Sequence, residues 1–337
     1  MVKILQIIAY CLLQIAFLPV IFPAVIILNY KAYFISKKFG VDYTAVKVLQ
    51  LRCKMHLLGV RKDKDSIALY KSLPIASFNS LRIIVAPAII ANKITGFSSA
   101  SMNIPDKENA SIFQYIYVRT LEFDRILEKN INDVGAFVVM GAGYDLRVLK
   151  YVKDKRIKVY ELDQAPIQQL KKQCLKKADL LQDSISYIAV DFNNESWSDK
   201  LLKNGFDSIK KTFFLWEGVA SYLNEDIVVK TLQTLKLISA QESIISFDFN
   251  STLYNEAKGS FMERTIVRLM RMTGKVFLFG IDTSDAKKNA ELFLSKSDLK
   301  LKDLTLIGKD TKTVHPFSGI IEATTINRKS AHNVYRT

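Results

Sequence analysis

Four apolar runs between residues 136 and 218 of this 337-residue sequence each end in residues able to do chemistry. The run at 136–141 opens into Gly141-Ala142-Gly143-Tyr144-Asp145, and the run at 158–163 ends in Glu161-Leu162-Asp163. The run at 185–191 ends on Asp191 with Phe192 behind it. The run at 212–218 ends on Glu217-Gly218, with Tyr222 a few residues on. Paired glycines let a backbone turn tightly and approach a ligand. The helix that follows such a turn offers free amides to an anion. A carboxylate about 20 residues past a glycine turn suits ribose hydroxyls. An acid beside an aromatic ring, as at Asp191 and Phe192, suits the edge and face of an adenine. Any one of these acids alone reads equally well as a helix cap or a solvated loop residue. Their placement at successive run ends is what points to a ligand.

A dinucleotide fold would show G-x-G-x-x-G. Leu146 stands at the third glycine position, so no diphosphate is cradled there and a nicotinamide oxidoreductase is disfavoured. The pattern points to an adenosine ligand without a pyrophosphate, and S-adenosyl-L-methionine fits. Arg119 has two readings. Its always-charged planar fork is a natural clamp for a carboxylate, and it is equally placed for a structural ion pair with Glu122 or Asp124.

These residues need a scaffold that brings strand ends together. From residue 110 onward, short apolar runs alternate with helical patterns: 146–154, 165–178 with Pro166 in its first turn, 224–239 and 287–298. Nearly all-apolar runs are those of strands buried on both faces of a parallel sheet. LKDLTLI and SGIIEATTI read as closing strands. The expectation is a doubly wound, mostly parallel α/β domain, whose ligands bind beyond the carboxyl ends of the strands.

The first third differs. Residues 4–30 carry no charge, and about 20 apolar residues suffice to cross a bilayer as helix. The run is longer than a signal-peptide core and lacks an A-x-A site. A retained anchor is therefore expected over 1–30, with Pro19 and Pro23 keeping a broken or re-entrant form open. Nine Lys/Arg fall between 31 and 64, and the positive-inside rule then makes the anchor single-pass with the catalytic domain cytoplasmic. Residues 1–107 hold 14 basic and 4 acidic residues, a balance that implies an anionic membrane surface as partner. The tract at 46–64 reads either as a helix lying on headgroups or as an ordinary solvated helix face. The apolar stretch at 83–92 is too short to span and reads as core. A basic helical linker and cover over 31–109 and a methyltransferase domain over 110–330 complete the organisation.

The composition excludes other classes. Cys11, Cys53 and Cys174 lie too far apart for a disulfide framework or a zinc finger. His56, His315 and His332 are scattered, and no metal is expected. The basic tract lacks interleaved aromatics, so no nucleic-acid partner is expected.

Six motifs together resemble the leucine carboxyl methyltransferase-like family of S-adenosylmethionine-dependent O-methyltransferases: VRTLEFD (118–124), FVVMGAGYDLR (137–147), VYELD (159–163), AVDFN (189–193), FLWEGVASYL (214–223) and GKVFLFGID (274–282). The resemblance covers roughly residues 50–327. It implies a class I methyltransferase, Rossmann-like fold with S-adenosyl-L-methionine as cofactor. By the same resemblance Arg119 would pair with the carboxylate of the methionyl end, and Gly141, Gly143 and Asp145 would line that end. Asp163 would take the ribose, Asp191 and Phe192 the adenine, and Glu217 would sit near the methionyl amine. Leu146 departs from the family's usual D-T-R. Methyl transfer from a sulfonium to a carboxylate needs no general base, so alignment can carry the catalysis. Tyr222 is the catalytic candidate, placed to orient an acceptor oxygen or simply to pack. The expected acceptor is a small or lipid-like molecule with a carboxyl or hydroxyl group. An inactive membrane-associated scaffold keeping the fold is the alternative.

Overall fold

The computed structural model describes residues 2–153, 156–192, 194–255, 265, 276–311 and 314–325. By their contacts they form two units. A helical unit comprises Met1–Leu121, Gly143–Lys150 and Asp163–Asp183. A sheet unit comprises Glu122–Ala142, Tyr151–Leu162 and Ser184–Thr337.

The sheet unit carries β1 Ala136–Met140, β2 Lys158–Asp163, β3 Ile185–Ala189, β4 Thr212–Trp216, β5 Ile244–Ser251, β6 Gly280–Ile281, β7 Leu299–Ile307 and β8 Ser318–Thr325. Their order is β3-β2-β1-β4-β5-β8-β7, with β6 also paired to β5. β1 runs parallel to both neighbours, Val138 standing opposite Tyr160 and Phe214. β4 and β5 are parallel, whereas β8 is antiparallel to β5 and β7. The order 3-2-1-4-5 is that of a doubly wound sheet, with its switch point between β1 and β4. The mostly parallel α/β expectation is met, including both closing strands.

Every residue of β1, β4 and β5 is buried, which explains why these runs are apolar throughout rather than alternating. On one face Met140, Leu162, Trp216 and Phe247 pack with Leu201, Val228, Leu232, Phe293 and Leu294. Those partners come from the helices Trp197–Lys203, Glu225–Ile238 and Ala286–Ser295. Each fully buried side chain of this size contributes about 1.5–3 kcal/mol. Asn224 and Ser239 flank the helix expected at 224–239.

Of the pattern at 146–154, residue 154 lies outside the described residues, and the rest gives one helical turn, Val148–Tyr151. Asp145 accepts the Arg147 amide at 2.8 Å, and this local turn competes with helix until residue 148.

The helical unit begins with Val2–Ala16 and Leu18–Tyr30, followed by a wider turn at Lys31–Ile35 and a last turn at Ser36–Lys38. The apolar run at 4–30 is thus not one uninterrupted helix. Pro19 has no amide to bond back across Phe17, and Val20 instead donates to the Phe17 carbonyl at 3.0 Å. Leu18–Lys38 is long and apolar enough to cross a membrane by length and composition.

Tyr43–Leu57 follows, capped by Asp42, which accepts the Thr44 amide at 2.7 Å. It buries Val46, Leu49, Cys53 and Met55, and it turns Arg52 inward. Neither reading of the basic tract 46–64 survives intact: this helix belongs to the core rather than lying on headgroups or in solvent. The stretch at 83–92 lies within the helix Phe78–Thr95, which buries Leu81, Val85, Pro87 and Ala91 and exposes Ile83, Ile90 and Ile94.

Candidate active site

The two glycines after β1 do different work. Gly141 sits at φ +66°, and a Cβ there would collide with a methyl of Val219. Its amide and that of Ala142 donate to the Leu162 carbonyl at 2.8 and 3.0 Å. A left-handed backbone and a neighbour pressed against Cα admit only glycine. Gly143 is also left-handed, at φ +48°, but a Cβ there would meet only Ala45 at an ordinary 3.6 Å.

In the helical unit the Gly143 amide donates to Asp163 Oδ2 at 2.5 Å, and the Gln164 amide donates to Asp163 Oδ1 at 2.6 Å. Burial pushes the Asp163 carboxyl above its usual value, with the Gly143 and Gln164 amides and Lys171 pulling the other way and Asp42 adding to the rise. Asp163 is 8% exposed. An ionised carboxylate has about four acceptor sites, and the two amides take one on each oxygen.

Asp145 is held more heavily. Its Oδ2 lies 2.6 Å from Arg147 Nη1 and 3.0 Å from Arg52 Nη1, and its carbonyl accepts the buried Lys171 ammonium at 2.6 Å. Burial alone would raise its pKa. The two guanidiniums, the Arg147 amide and Lys171 outweigh burial and hold it well below the carboxylate range. Arg147 also donates to the Thr120 carbonyl at 3.1 Å, tying the turn to the first part of the helix Tyr115–Asn130. Arg119, next to Thr120, is 5% exposed, with its guanidinium 5.2 Å from the Tyr115 ring centre. Glu122, one of its two sequence-proposed partners, pairs with Arg125 at 2.8 Å. Gly143, Asp145 and Asp163 therefore share one cluster, with Arg119 adjoining it through Thr120.

In the sheet unit, Val219 packs Gly141 against the turn that follows β4. Gly218, at φ +71°, donates its amide to Asp248 Oδ1 at 2.6 Å. This buried acid within β5 fixes the turn that carries Glu217. Tyr222 ends a 3-10 turn at Ala220–Tyr222, and its ring lies 5.4 Å from that of Phe277. Leu278 donates to the Ser221 carbonyl at 2.8 Å, securing the same segment. Residues 274–275 of the sixth motif lie outside the described residues. After β3, Asp191 accepts from the Asn194 side chain at 2.8 Å, and its amide donates to Glu195 at 2.7 Å. The Phe192 ring lies tilted at 44° to that of Trp197, with 6.4 Å between ring centres. Asn193 of this motif lies outside the described residues. β3 is two strands from β1, about 10 Å across the sheet.

Arg52, Arg147, Lys171 and Asp248 were not nominated from the sequence. Arg147 and Asp248 had a signal: an Arg two residues after the motif acid, and an acid inside an apolar β run. Arg52 and Lys171 had none, because each looks like one more cation on a basic helix. Leu146 is buried. Among the described residues no group of His, Cys, Asp and Glu could hold a metal ion.

Residues 86–236 match the leucine carboxyl methyltransferase family. This is the family the six motifs resemble. A Bacillus subtilis protein, provisionally named as an S-adenosyl-L-methionine-dependent methyltransferase, is 31% identical over 126 residues, 37% of this chain and 41% of its own. A relative from Streptomyces avermitilis with a similar name is 29% identical over 164 residues, 46% of this chain and 57% of its own. The chain thus spans about half the length of the curated relatives it matches. Among solved structures, a magnesium protoporphyrin IX methyltransferase from Synechocystis with bound S-adenosylhomocysteine is 10% identical, with TM-score 0.43 over 65% of this chain and 89% of its own. A bacterial Hen1 methyltransferase domain is 14% identical, with TM-score 0.42 over 62% and 98%. Likenesses this distant say nothing about the chemistry.

Proposed function

We propose that the protein is an S-adenosyl-L-methionine-dependent methyltransferase held at a membrane, methylating a carboxyl or hydroxyl oxygen of a small or amphiphilic acceptor. The observation that carries this reading is Asp163. A buried carboxylate fixed by the amides of Gly143 and Gln164, with lone pairs left over, suits the two hydroxyls of a ribose. The donor set fits the cofactor in kind. Asp163 would take the ribose, while Asp191 and Phe192 would take the adenine. Arg119 would pair with the methionyl carboxylate, Gly141, Gly143 and Asp145 would line that end, and Glu217 would face the amine.

The bound cofactor supplies a methyl group already activated on a sulfonium. What remains for the chain is alignment and exclusion of water, where effective molarity is worth up to about 7–11 kcal/mol. Asp145 acts there through the backbone, since Arg52 and Arg147 occupy its carboxylate. Tyr222, whose ring lies against Phe277, would orient the acceptor oxygen by its phenol. A carboxylate acceptor needs no base, and a hydroxyl acceptor would lose its proton to water or to a neighbouring carboxylate.

An amphiphilic acceptor is favoured by the exposed apolar surface of the first helices, because a substrate dissolved in the same bilayer is concentrated there. The test is incubation with methyl-labelled cofactor and a membrane extract separated into lipid, peptide and small-acid fractions. Label should enter the lipid fraction, and anionic vesicles should stimulate the reaction. Cofactor binding without transfer to any fraction would favour an inactive scaffold.

A further inference from the structure

The exposed apolar surface of the helical unit is made by three helices. Ile4, Leu12 and Ile15 lie on Val2–Ala16, Phe22 and Ile26 on Leu18–Tyr30, and Ile83, Ile90 and Ile94 on Phe78–Thr95. The last three are spaced seven and four residues apart, along one helix face. Phe78–Thr95 packs against both N-terminal helices and runs antiparallel to them. At one end Lys31 Nζ donates to the Ala76 carbonyl at 3.1 Å. At the other end the rings of Tyr10 and Phe97 meet at 5.1 Å, and Gly96 lies beside the Gln6 amide.

This pairing decides how the apolar surface can meet a bilayer. If Leu18–Lys38 crossed it, Phe78–Thr95 would have to cross alongside. Arg82 and Lys93, both exposed, are 11 residues apart, about 16 Å along a helix. A hydrocarbon core is about 30 Å thick, so at least one of the two would be stranded in it. The chain would also have to return through 96–114. That stretch has only short 3-10 turns and holds Asp106, Lys107 and Glu108, and hydrocarbon does not accept such lipid-exposed backbone.

We infer that the three helices form a one-sided seat, sunk into a single leaflet of an anionic bilayer, with no segment crossing it. The charge pattern identifies the occupant. Residues 1–41 and 78–95 hold Lys3, Lys31, Lys37, Lys38, Arg82 and Lys93 and not one carboxylate. Lys and Arg at the edge of an apolar face are drawn to the negative headgroups of anionic lipid. The inference rests on the membrane reading above and replaces a crossing anchor with an embedded one.

The test places single cysteines at Lys3→Cys and Lys38→Cys in full-length protein, with Cys11→Ser removing the exposed native thiol. A membrane-impermeant maleimide is applied to right-side-out and inverted membrane vesicles. Both positions should react from the same, cytoplasmic face, at least 10-fold faster in inverted vesicles. Labelling of the two from opposite faces overturns the one-sided seat while leaving membrane attachment intact. Protein that stays in the supernatant overturns attachment itself, and the seat with it. As a second variant, Ile90→Asp with Ile94→Asp should weaken sedimentation with anionic phosphatidylglycerol vesicles at least 10-fold with unchanged far-UV dichroism. Undiminished sedimentation would show that Phe78–Thr95 does not touch lipid.

Discussion

The acids after β2 and after β3 are assigned to the same ligand, yet they are built differently. Asp163 is buried and bound by backbone amides, beside Asp145 with its two arginines and Lys171. Asp191 is half-buried and lies in a short turn, accepting from the Asn194 side chain while its amide donates to Glu195. The first region is over-determined, so a substitution there acts on the fold as well as on binding. The second is a surface turn in which the two can be separated. A carboxylate in the first region serves the structure whether or not a ligand comes.

The largest effect should come from Asp145→Asn, which removes the carboxylate charge that faces two buried guanidiniums. Breaking a buried pair costs about 3–5 kcal/mol, read by chemical denaturation at pH 7. The pH dependence sharpens this. The folded pKa of Asp145 is depressed, so its stabilisation is complete above the ordinary carboxylate value of about 3.9. It is lost as pH falls from there toward the folded pKa. The gap between wild type and Asp145→Asn should therefore stay constant from pH 7 to about 5 and narrow below about 4. A gap that shrinks already between pH 7 and 6 would contradict the ion-pair account.

Next in size, Gly141→Ala should cost about 2–4 kcal/mol, combining left-handed strain with overpacking against Val219. Gly143→Ala meets only an ordinary contact and should cost about 1–2 kcal/mol. Equal costs would mean that Val219 yields. The smallest effect on stability should be that of Asp191→Ala, within about 0.5 kcal/mol as for most surface positions. It should still weaken binding of S-adenosylhomocysteine. If it unfolds the protein instead, the contrast between the two regions fails.

Much of this was legible in the sequence because the physics is local. Continuous apolar runs mark strands buried on both faces, and the acids and glycines at their ends mark the turns. The helix at 225–238 shows in its periodicity and its flanking Asn and Ser. What stayed hidden depends on long-range partners. Arg52 reads as one basic residue in a basic tract until the fold sets it against Asp145. Pro19 and Pro23 signal a break in the 4–30 run, but only the fold shows Phe78–Thr95 packed along it. Asp248 shows as an anomaly in β5, but its partner, the Gly218 amide, is 30 residues away.

The central claim is that Asp163 serves a ribose-bearing cofactor without a diphosphate. Isothermal titration of S-adenosylhomocysteine and of NAD into wild type and Asp163→Ala tests it directly, with folding checked by circular dichroism. The account predicts that S-adenosylhomocysteine binds and NAD does not. It also predicts that Asp163→Ala weakens binding by about 1–3 kcal/mol, roughly 5- to 150-fold. Tight NAD binding, or an affinity untouched by the substitution in a folded variant, would contradict it.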